Sequence, residues 1–275
     1  MLRRKHSWLR LLWSCAAVAA NGASAPGSLK ILDWNIDSGA RSARIVETIK
    51  REKPDLCLFQ EVDWNTRRAG FKNVAEELAR RFGMQYVFGK EFHEVGQGEN
   101  ALQGQAILSR YPLRSTREIR FANQSDFWEP RPYLPNWSMM QRRLGGRMAQ
   151  VSELDFGGRT LAVYNTHLES RGDVPLRLKQ LEEILADTKR YPPGTPIVIA
   201  GDLNTKYHPS PLIERLTESG FQDAVNSGRP TRTSMWWVSL DWIFVRGPIG
   251  FEGGAVDHKV RASDHYPITV RITAK

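Results

Sequence analysis

Ile197-Val198-Ile199-Ala200-Gly201-Asp202-Leu203-Asn204 is the stretch whose reading decides the fold. Four apolar residues bounded by Pro196 and Gly201 read as a short buried strand. Gly201 offers the backbone a sharp turn where the strand ends. Asp202 and Asn204 stand two residues apart, so an extended backbone points both side chains the same way. Taken alone, Gly-Asp-x-Asn fits a plain Asx-turn equally well. The segments around it decide between the two readings.

Outward from this strand the chain alternates short apolar runs with helical patterns. Strands are expected at Leu29–Ile36, Asp55–Val62, Met84–Phe88, Ala106–Pro112, Leu113–Phe121, Met148–Phe156 and Thr160–Asn165. Three more are expected at Leu240–Val245, Gly254–Lys259 and Tyr266–Thr273. Ile45, Val46 and Ile49 recur at helical spacing within Ser42–Lys50, and Val74, Leu78 and Phe82 within Asn73–Phe82, where Gly83 stops the helix. Leu178, Leu181 and Leu185 stripe a third helix over Pro175–Lys189. Ser210-Pro211 reads as an N-cap followed by proline at the first helical position. Gly157-Gly158 marks a tight hairpin, whereas Glu94–Gln105 reads as a loop. Strands in both hairpin and crossover contexts favour an α/β fold of two packed mixed sheets with helices outside.

Composition is that of an ordinary globular chain. Of 275 residues, 41% are hydrophobic and 25% charged, enough for one large core and without repeats or low-complexity tracts. The formal charge is +9. Residues 1–20 open with Arg3, Arg4, Lys5 and Arg10 and continue into an apolar run ending Val18-Ala19-Ala20, the pattern of an export signal. That run is too short for a membrane span, which takes about 20 apolar residues. Cleavage after Ala20 is preferred over Ala25, where Pro26 follows; an uncleaved amphipathic anchor is the alternative. The expected organisation is thus a leader at 1–20, a linker at 21–28 and one domain at 29–275. Losing the leader removes four positive charges and leaves +5, a mildly basic surface suited to a phosphate-bearing substrate. Cys57 is then the sole cysteine, so no intramolecular disulfide forms, and its apolar neighbours make it a small core residue.

Polar residues recur where these strands end: Asn35, Glu61, His167, Asp202, Asn204, Asp241 and the pair Asp264-His265. Each lies in apolar sequence, where burial without a partner costs several kcal/mol, about 2–7 for a neutral polar group. Mutual satisfaction around a cation and a bound anion accounts for the whole set.

In order along the chain, Trp34-Asn35, Gln60-Glu61-Val62, Thr166-His167-Leu168, Gly201-Asp202-Leu203-Asn204, Leu240-Asp241-Trp242-Ile243-Phe244 and Ser263-Asp264-His265 resemble the endonuclease/exonuclease/phosphatase superfamily, which includes deoxyribonuclease I. The resemblance spans Lys30 to Thr273. Thr166-His167-Leu168-Glu169-Ser170-Arg171, with Arg177 and Gln180 beyond it, also resembles type-2 tyrosyl-DNA phosphodiesterases over a short segment. The superfamily implies a four-layer α/β sandwich, two mixed and mostly antiparallel sheets flanked by helices. It implies Mg²⁺-dependent hydrolysis of a phosphoester, with Mn²⁺ as the substitute ion.

Given that resemblance, Glu61 and Asp264 are the expected carboxylate ligands, with Asn35 completing or orienting the inner shell; Mg²⁺ prefers oxygen donors and keeps most of its waters around one or two carboxylates. His265 is the candidate base or phosphate contact, its imidazole oriented by Asp241. Asp202 orients or deprotonates the attacking water, and Asn204 and His167 donate hydrogen bonds to phosphoryl oxygens. Either Asp202 or His265 can take the proton. No covalent nucleophile is evident, so direct in-line attack by water is expected.

The chain departs from the family where many of its nucleases carry Tyr or Glu ahead of the Ala106 strand: here stand Gln103 and Gln105, with Glu99 a loose candidate. Between Ala122 and Arg143 the periodicity gives way to Phe127, Trp128, Tyr133, Trp137, Met139 and Met140 interleaved with Arg131, Arg142 and Arg143. This segment reads as a platform for unstacked bases, as a wedge for a lipid interface, or as a loop packing its own aromatics. Arg143, Arg177, Trp236 and Trp237 are the expected substrate contacts. The expected partner is a phosphodiester, with nucleic acid ahead of a lipid surface and no stable protein partner. A catalytically dead binding module is the remaining reading, and the intact acid, amide and histidine set argues against it.

Overall fold

A computed structural model describes residues 26–130, 133, 142–206, 208–225 and 231–275. The expected leader, together with Arg131, Trp137, Met139 and Met140, lies outside the described residues.

Sheet A contains β1 (Ser28–Asn35), β2 (Leu56–Trp64), β3 (Gln85–Glu94), β4 (Leu102–Ser109), β6 (Arg143–Gly145), β12 (Ile249–Val256) and β13 (Ile268–Ala274), in the order β12-β13-β1-β2-β4-β3-β6. Sheet B contains β5 (Arg114–Arg120), β7 (Met148–Phe156), β8 (Arg159–His167), β9 (Ile197–Asp202), β10 (Gln222–Asp223) and β11 (Asp241–Arg246), in the order β10-β11-β9-β8-β7-β5. The sheets face each other across an apolar layer in which Ile31, Leu58 and Ile107 of sheet A meet Leu161, Val198 and Ile243 of sheet B. Helices α1 (Ser42–Glu52) and α2 (Val74–Phe82) cover the other face of sheet A through Ile45, Ile49 and Leu78. Helices α3 (Val174–Thr188) and α4 (Ser210–Glu218) cover sheet B through Leu181, Leu185, Leu212 and Leu216. The result is a four-layer α/β sandwich.

Each sheet holds one parallel pair among antiparallel neighbours. β1 and β2 are parallel, joined by α1, and β8 and β9 are parallel, joined by α3. Parallel strands point to the same edge, so each pair aligns residues there: Asn35, the last of β1, opposite Gln60, and the strand ends His167 and Asp202 opposite each other. Asp241 is in register with Asp202 across the antiparallel β11–β9 pair. This shared edge is where the polar strand ends accumulate.

Gly201 acts through packing as well as through its turn. Its φ is +133°, and a Cβ built there would lie 1.9 Å from the Thr166 carbonyl oxygen, so only glycine lets β9 pass this close to β8.

Three boundaries differ from expectation. β3 runs to Glu94 and β4 starts at Leu102, so the expected 94–105 loop is shorter; Glu91 and Glu94 are buried and paired with arginines, which makes this part of β3 look like loop sequence. The strand expected at Gly254–Lys259 spans Ile249–Val256 instead, a mostly exposed edge strand with a bulge between Glu252 and Ala255. Ser210 is the first residue of α4 and not its cap; Pro209 occupies the cap position with no side-chain hydrogen bond.

Candidate active site

Asp202 lies at the centre of the polar edge. Its Oδ1 accepts from the backbone amide of Asn204 at 2.9 Å, a local Asx contact. Its Oδ2 accepts from Asn35 Nδ2 at 3.3 Å and lies 3.3 Å from His167 Nε2 and 3.8 Å from His265 Nε2. Burial pushes the Asp202 carboxyl up to about 7; His265 pulls it down and Asp241 pushes it further up.

His265 sits just ahead of β13, held by a hydrogen bond from Trp34 Nε1 to its backbone carbonyl at 2.9 Å. Its Nδ1 donates to both carboxylate oxygens of Asp241, at 3.0 and 2.9 Å. Burial opposes the imidazolium, but Asp241 and Asp202 outweigh it and hold the imidazole well above its usual range. His167, at the end of β8, has the opposite balance. Burial, then the positive charge of Arg147, holds it well below the usual range, so it is neutral.

On sheet A, Glu61 occupies the register break of β2 between Phe59 and Val62, with φ +52°. Asn204 shares the left-handed conformation at φ +49°. Two non-glycine residues of this kind beside one centre mark backbone strain held where side chains must be aimed. Burial alone would raise the Glu61 carboxyl, but Arg143, Arg147, His265 and a hydrogen bond from Asn35 bring it below its ordinary value. Arg143 Nη2 approaches Glu61 no closer than 3.7 Å, leaving an ionised, half-buried carboxylate without a tight cationic partner.

Asp37, which the sequence reading missed, belongs to the same corner. It has φ +45°, its amide donates to Asn35 Oδ1 at 3.2 Å, and its carboxyl is raised by burial and by the negative charges of Asp264 and Glu61. Asp37, Glu61 and Asp264, with the Asn35 amide, form an oxygen-rich donor set that fits a hard divalent cation. Among the described residues, the histidine and acid side chains whose ligating atoms all lie within 4.8 Å of one another are instead Asp202, Asp241 and His265. There His265 Nδ1 is already taken by Asp241, so the chemistry of that cluster is proton handling.

Glu91 and Arg147 were also missed. Glu91 Oε2 lies 3.3 Å from Arg147 Nη1 and 4.0 Å from His167 Nδ1, and burial raises its carboxyl to about 7. Gln105 Nε2 donates to Glu91 Oε1 at 3.2 Å, so the acid expected near Gln105 comes from β3, while Glu99 is exposed. Glu91 sits inside β3 between the charged Lys90 and the apolar Phe92, and nothing local in the sequence marks it.

The expected substrate contacts separate. Arg143, on β6, faces Glu61 and is fixed by Glu94 at 2.6 Å. Trp236 and Trp237 are exposed, and Arg232 stacks 3.8 Å above the Trp237 ring. Their loop joins the site through a backbone bond from Met235 to the Asp264 carbonyl. Arg177 is turned away from the site: it is buried and donates to the carbonyls of Glu169 and Gly172, where it closes the 169–172 turn. Asn204 Nδ2 is likewise engaged with the Leu168 carbonyl at 2.9 Å. In the 122–143 segment, Trp128 is a core residue, packed on Phe92 and donating to Glu169, whereas Phe127 is partly exposed beneath Arg171.

The profile of the Endonuclease/Exonuclease/phosphatase family matches residues 34–265. The chain belongs to this family. Among solved structures, it is similar to an endonuclease/exonuclease/phosphatase from Beutenbergia cavernae (19% identity, TM-score 0.70, covering 90% of this chain and 72% of that one). It is also similar to the human Nocturnin catalytic domain with a bound sulfate anion (19%, 0.70, 91% and 96%) and to a humanized D. rerio TDP2 (18%, 0.61, 90% and 100%). No curated protein sequence matches the chain. Family membership makes it a hydrolase of the phosphoester class.

Proposed function

We propose that this chain is an exported, Mg²⁺-dependent phosphodiesterase that cleaves nucleic acid by attack of water. The observation that carries the chemistry is the pairing, across Asp202 Oδ2, of a carboxyl raised to about 7 with an imidazole held charged by Asp241. A base near neutrality and a cation beside it are the two groups that water attack on a phosphodiester needs.

In this reading Asp202 accepts the proton of the attacking water. His265, charged and oriented through Nδ1, presents Nε2 to the phosphoryl oxygens, which gain charge as the water adds. His167 stays neutral and orients the Asp202 carboxylate through Nε2. Glu61, Asp264, Asp37 and Asn35 are the residues that would hold the metal, which supplies Lewis-acid polarisation of a phosphoryl oxygen when bound. Arg143 adds a fixed positive charge on the same side.

Nucleic acid is favoured as substrate by the positive net charge and by the exposed Trp236 and Trp237, which offer stacking faces. The same tryptophans support a second reading, a lipid phosphoesterase that inserts them at a membrane interface. Export rests on the basic, then apolar, residues 1–20.

The test compares hydrolysis of bis-(p-nitrophenyl) phosphate, single-stranded DNA and sphingomyelin by wild type and Glu61→Ala, with Mg²⁺ or EDTA. Turnover should vanish with EDTA and in Glu61→Ala, with DNA the best natural substrate. Turnover that survives both treatments overturns the metal assignment, and preference for sphingomyelin moves the protein to the second reading.

A further inference from the structure

Adjoining the catalytic edge lies a cavity of about 430 Å³, between β3, the end of β5 and the β6–β7 turn. Lys90, His93 and Arg120 stand at its wall with Gln124, Gly145 and Arg147. Two features make it a place for an anion.

Its cationic groups are unevenly neutralised: Arg120 is paired with Glu118 and Arg147 with Glu91, whereas Lys90 has no ion pair among the described residues. Lys90 Nζ has an imidazole nitrogen, His93 Nε2 at 3.3 Å, as its hydrogen-bond partner, and among the described residues no carboxylate forms an ion pair with it. Arg120 shares one Nη2 between Glu118 and the Lys90 carbonyl, each at 2.7 Å, and so keeps the two basic side chains on one wall. Burial and then the Arg120 charge lower the Lys90 ammonium, against the opposing pull of Glu118. Arg147 is almost fully buried, yet its Nε has no hydrogen-bond partner.

The cavity also shares a wall with the active site. Arg143 reaches Glu61 and Glu94, while its neighbours Leu144, Gly145 and Gly146 line the cavity. Glu91 and Arg147 line it too, and they extend to His167 and Ser170. The segment 143–147 therefore has the reacting centre on one side and the basic cavity on the other.

We infer that the Lys90–His93–Arg120 cavity is an anion subsite that takes a second phosphate of a polyanionic substrate, adjoining but separate from the hydrolytic centre. This rests on the phosphodiesterase reading above. It gives the enzyme a preference for a phosphate chain over an isolated diester. Lys90 and Arg120 contact neither Asp202, His265 nor Glu61, so they affect how the substrate is held and leave the chemical step alone.

The experiment compares wild type with the double variant Lys90→Met/Arg120→Met, which keeps the apolar stems and removes both charges. Substrates are bis-(p-nitrophenyl) phosphate, carrying one phosphate, and a single-stranded octanucleotide. For the diester, kcat/KM should stay within about twofold of wild type; for the octanucleotide it should fall at least about tenfold, in KM and not kcat, as loss of charge-assisted contacts predicts. The slope of log KM against log salt should shrink by about two contacts' worth. An equal loss on both substrates shows a structural defect and overturns the inference, as does an octanucleotide KM that does not move. A separate titration with pyrophosphate, read on the His93 ring resonances, keeps the two readings apart. If wild type hydrolyses neither substrate but pyrophosphate shifts His93 in wild type and not in the double variant, the anion site stands and the hydrolytic reading fails. If pyrophosphate does not shift His93 and the octanucleotide is cut equally well by both proteins, the cavity holds no phosphate.

Discussion

Two histidines flank Asp202, each with a buried acid behind it, and the surroundings give them different protonation states, His265 charged and His167 neutral. His265 meets Asp241 through two short contacts, at 2.9 and 3.0 Å, and among the described residues no arginine pairs with that carboxylate. His167 is 4.0 Å from Glu91, whose Oε2 is already shared with Arg147. The first acid is free to stabilise a proton on its histidine, whereas the second spends its charge on a guanidinium. An acid near a histidine therefore does not by itself set the protonation state; what else the acid touches does.

The largest break of this contrast is Asp241→Asn. Without the anion behind Nδ1, the His265 imidazolium is lost at lower pH, and kcat should fall by about 10²–10⁴-fold. In a pH profile the alkaline limb of kcat/KM should move to lower pH. A fall in kcat with that limb unmoved would show that Asp241 holds geometry alone.

Arg147→Met tests the other pair. Removing the cation leaves Glu91 buried without its charge partner, at a cost of about 3–5 kcal/mol in urea unfolding. The His167 ring, relieved of repulsion and given a free acid, should titrate at higher pH by NMR. An unmoved His167 would mean that burial alone keeps it neutral.

Glu91→Gln has the smallest expected effect and sharpens the contrast through pH. The folded-state Glu91 carboxyl is raised from 4.5 to about 7, so the folded protein binds this proton more tightly than the unfolded chain. Its contribution is therefore fully present below pH 4.5 and lost as pH rises through about 7. Between those limits wild type should lose stability relative to Glu91→Gln, seen as converging or crossing urea midpoints. Parallel midpoints across the range would show that Glu91 titrates as it does when unfolded.

The same contrast explains what the sequence made legible. Asp241 and His265 lie next to strong apolar runs, Trp242-Ile243-Phe244 and Tyr266-Pro267-Ile268, so each stands out as a polar residue where a core strand begins. The sandwich was readable for a similar reason: its inner strands are buried on both faces and leave continuous apolar runs. Glu91 and Arg147 are equally buried, but each is satisfied by a partner from a different part of the chain. A charge neutralised by a non-local partner has no local signature, and Lys90-Glu91-Phe92-His93-Glu94 looks like surface. Asp37 was hidden differently, because its place depends on a left-handed backbone that Ile36-Asp37-Ser38 does not advertise. Strand β12 failed because it is an edge strand, mostly exposed, with no apolar stripe to read.

β1 pairs with β2 on one side and with β13 on the other, joining Leu29 to Ile272 and Asp33 to Ile268. Asn35 and Glu61 are thus built early in the chain, while Asp264 and His265 arrive only with the turn into β13. Pairing across such a sequence separation is slow relative to local hairpins. During synthesis, the half holding Asn35 and Glu61 exists before its histidine does. A hydrolase assembled this way stays inert until its closing strand docks, which spares the cell that makes it from a partly built phosphodiesterase.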